Sequence, residues 1–128
     1  MVKEPQDLTI LLVEDSDDTR YFMRLELENF GYRVIEAADG EHAIDLAEQE
    51  LPDIILMDLS LPNLDGLEAA KRIRKQKVLE KIPIIAVTAH QEQTFRQGAA
   101  ESGFDAYVTK PVDMDFLSEL ISGLRLLE

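Results

Sequence analysis

Three short apolar runs, uninterrupted by a polar or charged residue, constrain this chain more than any other feature: Ile10-Leu11-Leu12-Val13, Ile54-Ile55-Leu56-Met57 and Ile82-Pro83-Ile84-Ile85-Ala86-Val87. A strand with one wet face alternates apolar and polar side chains. A run without alternation predicts a strand buried on both faces, as in a parallel sheet covered by helices. Two weaker strands are expected at Arg33–Ala37 and Ala106–Lys110. Pro83 stands at a strand start, where a missing N–H donor is tolerated.

Amphipathic stretches lie between the runs. Ser16 is placed to cap a helix reaching about Phe30, with Gly31 ending it. Asp39 is placed to cap a second, to about Glu50, with Pro52 beyond. A third is expected from about Asp65 to Gln76, and a fourth from about Gln91 to Ser102, closed by Gly103. Gly98 inside the fourth costs it roughly 1 kcal/mol relative to Ala. The last runs from about Asp113 to Leu127. Five βα units in a row predict an α/β fold with a doubly wound, five-stranded parallel sheet. The 128 residues fit one domain, 1–128.

In such sheets ligands bind beyond the carboxyl ends of the strands. The first strand ends in Glu14-Asp15, the third in Asp58, the fourth in Thr88 and the fifth in Lys110-Pro111. Carboxylates gathered there repel one another and raise each other's pKa, which a hard divalent cation relieves. Mg²⁺ takes one or two carboxylates, keeps several waters and accepts a phosphate oxygen. An ammonium from Lys110 and a hydroxyl from Thr88 complete partners for the equatorial oxygens of a transferring phosphoryl group. Asp58 is then the nucleophile, forming an acyl phosphate. Taken singly, each residue has a plainer reading: Glu14-Asp15 as a helix start, Asp58 as a cap, Thr88 as an ordinary strand residue, Lys110 as surface charge. The conjunction at four strand ends is what favours chemistry.

Composition narrows the partners. The formal charge is −13, which opposes unassisted binding to nucleic acid or anionic lipid. There is no cysteine, hence neither disulfide nor thiolate metal site. The apolar runs are too short for a membrane span, and Met1–Asp7 lacks the apolar stretch of a signal peptide, so a cytoplasmic protein is expected.

The stretches Ile10–Asp15, Ile54–Pro62 with Asp65-Gly66, Ile84–Ala89 and Ala106–Pro111 together resemble the CheY-like receiver domain of bacterial response regulators, over nearly the whole chain. The resemblance implies the strand order 2-1-3-4-5. It implies Asp58 as phosphoacceptor and Asp15 as direct ligand of Mg²⁺ (or Mn²⁺). Glu14 would act through water, and the Ser60 carbonyl would be a further ligand. Thr88 matches the switch hydroxyl and Lys110 the phosphate-binding lysine, with a cis bond between Lys110 and Pro111. Ala89 is small where phosphoryl groups must enter. Tyr107 matches an aromatic switch residue, with a half-buried strand tyrosine as the equal alternative. Ser60 and His90 would flank the path of attacking water and tune the phosphate lifetime; for His90 a surface role stands beside this. His42 reads as an exposed helix residue. Asp18 departs from relatives that carry an apolar docking residue on the first helix.

The expected function is a phosphoacceptor in a two-component phosphorelay, with a histidine kinase or histidine phosphotransfer protein as donor and a protein as downstream target. Phosphorylation would be read on the face of the fourth helix, fifth strand and fifth helix. The oligomeric expectation is a monomer or phosphorylation-dependent dimer. The sequence ends with its last helix, so a stand-alone receiver without a fused output domain is expected. It would not be an enzyme beyond Mg²⁺-dependent self-phosphorylation and autodephosphorylation. A haloacid-dehalogenase-like phosphotransferase would need a second acid where Ser60 stands. A flavodoxin-type flavin carrier would need a hydroxyl- and Gly-rich loop where Glu14-Asp15-Ser16-Asp17-Asp18 stands. A degenerate docking receiver would not need every chemical position filled.

Overall fold

A computed structural model of the chain describes residues 4, 7–59, 61, 65–88 and 103–126. Five parallel strands form one sheet in the order β2-β1-β3-β4-β5. They are β1 (Thr9–Val13), β2 (Arg33–Ala37), β3 (Ile54–Asp58), β4 (Ile84–Thr88) and β5 (Ala106–Thr109). The three uninterrupted runs are the three central strands. Each residue of β3 and β4 is buried, because helices cover both faces. The two weaker patterns are the edge strands β2 and β5, which keep partly exposed residues. Pro83 precedes β4, and its carbonyl still accepts a hydrogen bond from Ile55 N at 3.0 Å.

The described helices are α1 (Asp17–Asn29), α2 (Gly40–Glu50), α3 (Gly66–Lys75) and a C-terminal helix (Met114–Leu126). Aspartate or serine side chains begin all four. Ser16 accepts from Thr19 N, Asp39 from His42 N, Asp65 from Glu68 N and Asp113 from Phe116 N. These bonds satisfy donors that no helical carbonyl reaches. Gly31 ends α1 with φ of 101°. Leu51 ends α2 in the left-handed region at φ 46°, a conformation that a side chain other than glycine adopts at some cost. The expected fourth helix, Gln91–Ser102, lies outside the described residues, as does Gly98. Gly103, expected to close it, has φ of 96°. A short 3-10 turn at Lys77–Leu79 was not anticipated; it carries Leu79 into full burial.

The sheet divides two apolar layers. Ile10, Leu12, Ile54, Leu56, Ile85 and Val87 pack with Met23 and Leu27 of α1 and with Leu117 and Ile121 of the C-terminal helix. Leu11, Val13, Ile55, Met57 and Ile84 pack on the other side with α2 and α3, which present Ala43, Ala47, Ala69, Ala70 and Ile73. Burying one such Leu or Ile stabilises by about 1.5–3 kcal/mol. The pleat sends successive residues to opposite layers, so one continuous apolar run supplies both. Among the described residues no helix is long and apolar enough to cross a membrane.

Candidate functional site

β1 has β2 on one side and β3 on the other. Connections therefore leave β1 and β3 in opposite directions, and a crevice opens at their carboxyl ends. Glu14-Asp15 follows β1 directly and Asp58 is the last residue of β3. One carboxylate oxygen from each of Glu14, Asp15 and Asp58 lies within 4.8 Å of the others. Glu14 and Asp58 are only 2% and 5% exposed, whereas Asp15 is open to solvent.

Lys110 reaches this group from the end of β5. Its Nζ donates to Glu14 Oε1 at 2.9 Å and to Asp58 Oδ2 at 3.1 Å. The Lys110–Pro111 peptide is cis, as the resemblance implied. Burial pushes the Glu14 carboxyl above its ordinary value. The Lys110 and Ser16 hydrogen bonds oppose that rise without cancelling it, and the charge of Asp58 adds to it. Burial alone would pull the Lys110 ammonium down, but hydrogen bonds and charge from Glu14 and Asp58 outweigh it, so its pKa is raised. Three carboxylates around one ammonium leave an excess of negative charge. An all-oxygen set of this kind suits a hard divalent cation.

Every polar group of Glu14 is engaged. Its N–H continues the sheet by donating to Ala37 O at 3.1 Å. Its second carboxylate oxygen accepts from Ser16 N at 3.0 Å, and its carbonyl accepts from Arg20 Nη1 at 2.8 Å. Such a carboxylate is held in place; the exposed Asp15 keeps its oxygens available for a ligand.

Thr88 ends β4, next to Asp58's strand, and is 3% exposed. Its carbonyl accepts from Lys110 N at 2.9 Å, tying the ends of β4 and β5. Tyr107 is half-buried, opposite Ala86 on β4, and packs with Leu59 and Ala86. Ser60, Ala89 and His90 lie outside the described residues. His42 is exposed on α2 and Asp18 on α1.

Gly66 begins α3 against the backbone of the site. A Cβ there would stand 2.5 Å from the Asp58 carbonyl oxygen and 2.9 Å from Leu59 Cα. Backbone atoms cannot rotate away as a side chain would. Gly66→Ala is therefore expected to cost about 1–3 kcal/mol of stability by overpacking, of which alanine's better helix propensity returns at most about 1 kcal/mol. Urea unfolding checks this; an unchanged midpoint would mean that the Asp58–Leu59 backbone yields freely.

Two features escaped the sequence reading. Arg20 shares only its i,i+3 spacing with Asp17 as a local signal, and nothing local pointed to the Glu14 carbonyl. Arg74 pairs with Asp105, 31 residues away, and no short pattern announces that.

A parallel 2-1-3-4-5 sheet with an acidic group, a lysine and a threonine at its carboxyl edge defines a class of signalling domain. Residues 10–122 match the response regulator receiver domain family, and the chain belongs to it. It is a receiver domain of two-component signalling. Among relatives, it is 36% identical over 115 residues to the protein PilH of Pseudomonas aeruginosa, covering 90% of this chain and 95% of that one. It is 43% identical over 102 residues to the alkaline phosphatase synthesis transcriptional regulatory protein PhoP of Bacillus subtilis, covering 80% of this chain but only 42% of PhoP. Among solved structures, the receiver domain of the sensor histidine kinase PA1611 of Pseudomonas aeruginosa superposes with a TM-score of 0.87 at 37% identity, covering 92% of this chain and 97% of that one. That receiver has a magnesium ion coordinated in its active site cleft.

Proposed function

We propose that this domain accepts a phosphoryl group on Asp58 from a phosphohistidine of a histidine kinase or histidine phosphotransfer protein. The observation that carries the reading is the position of Asp58: buried at the strand end, 3.1 Å from the Lys110 ammonium, and within one carboxylate group with Glu14 and Asp15.

An Asp58 carboxylate oxygen attacks phosphorus. The phosphorus–nitrogen bond breaks, and its electron pair stays with the departing imidazole. Lys110 Nζ then transfers its hydrogen bond to a phosphoryl oxygen, and the Thr88 hydroxyl donates to another. Asp15 and Asp58 would hold Mg²⁺ or Mn²⁺ directly, with the pinned Glu14 acting through water and the Ser60 carbonyl adding a ligand. When bound, that ion neutralises the excess negative charge and polarises a phosphoryl oxygen.

Ala89, a small residue, would leave room for phosphoryl groups to enter, and Ser60 and His90 would tune the phosphate lifetime. Tyr107 turns inward as Thr88 moves to the phosphate. The readout is a population shift on the face of β5, the C-terminal helix and the expected fourth helix, felt by a protein target or by a second phosphorylated copy. The domain acts as a stoichiometric acceptor rather than a turnover enzyme, in the cytoplasm. Its charge of −13 favours protein partners over nucleic acid or anionic membrane.

Two measurements test this. Saturating Mg²⁺ is expected to raise the unfolding free energy, by about 2.7 kcal/mol at a hundredfold excess over the dissociation constant. Acetyl phosphate is expected to produce a base-labile acyl phosphate only when Mg²⁺ is present. Equal labelling in the presence of a chelator would sink the metal assignment.

A further inference from the structure

Four acidic residues, Glu14, Asp15, Asp17 and Asp18, stand within five positions where the chain passes from β1 through a short loop into α1. Only Glu14 and Asp15 join Asp58. A flexible loop of this composition would offer the cation several competing carboxylates and pay for each geometry in entropy. Something must choose between them.

Arg20 makes the contacts that would do so. It lies in the first turn of α1 with its side chain 18% exposed. Nη1 donates to the Glu14 carbonyl at 2.8 Å. Nη2 pairs with Asp17 Oδ1 at 2.6 Å, and Nε lies 3.6 Å from Glu36 Oε1 on β2. One planar guanidinium thus ties the loop, the start of α1 and the edge strand together. The Glu14 carbonyl belongs to the peptide that leads into Asp15, at the point where the chain leaves the sheet. Fixing that peptide fixes the direction in which Asp15 departs. The same side chain pairs with one oxygen of Asp17, at the start of α1.

We propose that Arg20 is a positioning residue for the cation site: it orients the Glu14–Asp15 peptide toward Asp58. The inference rests on the metal-binding reading above. An exposed Arg–Asp pair alone contributes little, so the weight falls on the part-buried bond to the Glu14 carbonyl. Groups that orient metal ligands from outside typically change affinity 10–100-fold when removed. Lysine is a poor replacement, because a single ammonium does not reproduce the fork that reaches three acceptors.

The test is calorimetric titration of Mg²⁺ into metal-free wild type, Arg20→Met, Arg20→Lys and Arg24→Met. Arg24 shares the helix and pairs with Glu28 and Glu36 but does not touch Glu14. Arg20→Met is expected to weaken Mg²⁺ binding about tenfold, and Arg20→Lys severalfold, whereas Arg24→Met binds as wild type does. With acetyl phosphate, Arg20→Met should need more Mg²⁺ for half-maximal rate yet approach the wild-type rate at saturation, a split that general loosening of the fold would not produce. If wild type binds no Mg²⁺, the metal reading fails and this inference goes with it. If wild type binds and Arg20→Met binds equally well, the positioning role is wrong while the metal reading stands. An equal loss in Arg24→Met also overturns it, since charge on α1 would then suffice. Should Arg20→Met not fold, Arg20→Lys decides: wild-type affinity there overturns the proposal.

Discussion

Asp58→Asn is expected to leave a folded protein that acetyl phosphate no longer labels. Asparagine keeps the shape of aspartate, and its amide oxygen still accepts from Lys110 Nζ, 3.1 Å from the present carboxylate oxygen. It lacks the anionic oxygen that attacks phosphorus, so no acyl phosphate forms. Labelling should fall below detection in a gel or mass measurement at saturating Mg²⁺. Labelling at the wild-type level would show that another residue is the acceptor. The same variant carries a pH signature. Glu14 is raised above its ordinary 4.5, chiefly by burial and in part by the charge of Asp58. A carboxyl whose folded pKa exceeds its unfolded value contributes stability that is fully present below the unfolded pKa. That contribution is lost as pH rises through the folded value. Removing the Asp58 charge narrows this window. Without metal, Asp58→Asn should therefore lose less stability than wild type when pH is raised from below 4.5 to neutrality, as read by urea unfolding.

The largest stability effect is expected at Arg74, far from the chemistry. Its guanidinium donates to Gly103 O at 2.9 Å, to Glu80 O at 3.0 Å and to Ile82 O at 2.5 Å, and it pairs with Asp105 Oδ2 at 2.5 Å. Asp105 Oδ2 in turn accepts from Ile84 N at 2.8 Å, the first residue of β4. One side chain thereby joins the end of α3, the turn after it, the start of β4 and the approach to β5. Arg74→Met keeps much of the stem packing but leaves the part-buried carbonyls of Gly103 and Ile82, and the exposed one of Glu80, without this donor and Asp105 without its cation. Hydrogen bonds involving a charged partner contribute about 1.5–3 kcal/mol each, and they are not additive. We expect a loss of about 2–4 kcal/mol in equilibrium unfolding. Arg74→Lys should recover little of it, since lysine cannot fork to several acceptors. A change under about 0.5 kcal/mol, the range of an ordinary surface substitution, would show that water replaces the network without cost.

Much of the fold was legible because its signals are local. An uninterrupted run such as Ile54–Met57 reports burial on both faces, and the structure puts that strand at the centre of the sheet. Ser16 and Asp39 were readable as caps, because a cap acts three residues ahead on its own helix. The Lys77–Leu79 turn was not legible: a three-residue element has no period to detect, and Leu79 is buried there only because α2 and α3 pack around it. The acidic group was foreseen from strand ends, since parallel strands point their carboxyl ends the same way. The family resemblance, rather than periodicity, supplied the strand order that makes β1 and β3 neighbours.

The sequence by itself determined which segments become strands, where the four described helices begin, and that Glu14, Asp15, Asp58, Thr88 and Lys110 would share one edge. Those properties follow from side-chain period and from the direction of each strand. Tertiary structure alone decided which polar atoms meet. Lys110 bonds Glu14 across 96 residues and Asp58 across 52. Arg20, rather than any other cation, takes the Glu14 carbonyl. Contacts of this kind depend on lateral strand order, register and rotamer together. None of these leaves a local trace, because a charged side chain is equally compatible with water until the fold offers it a partner.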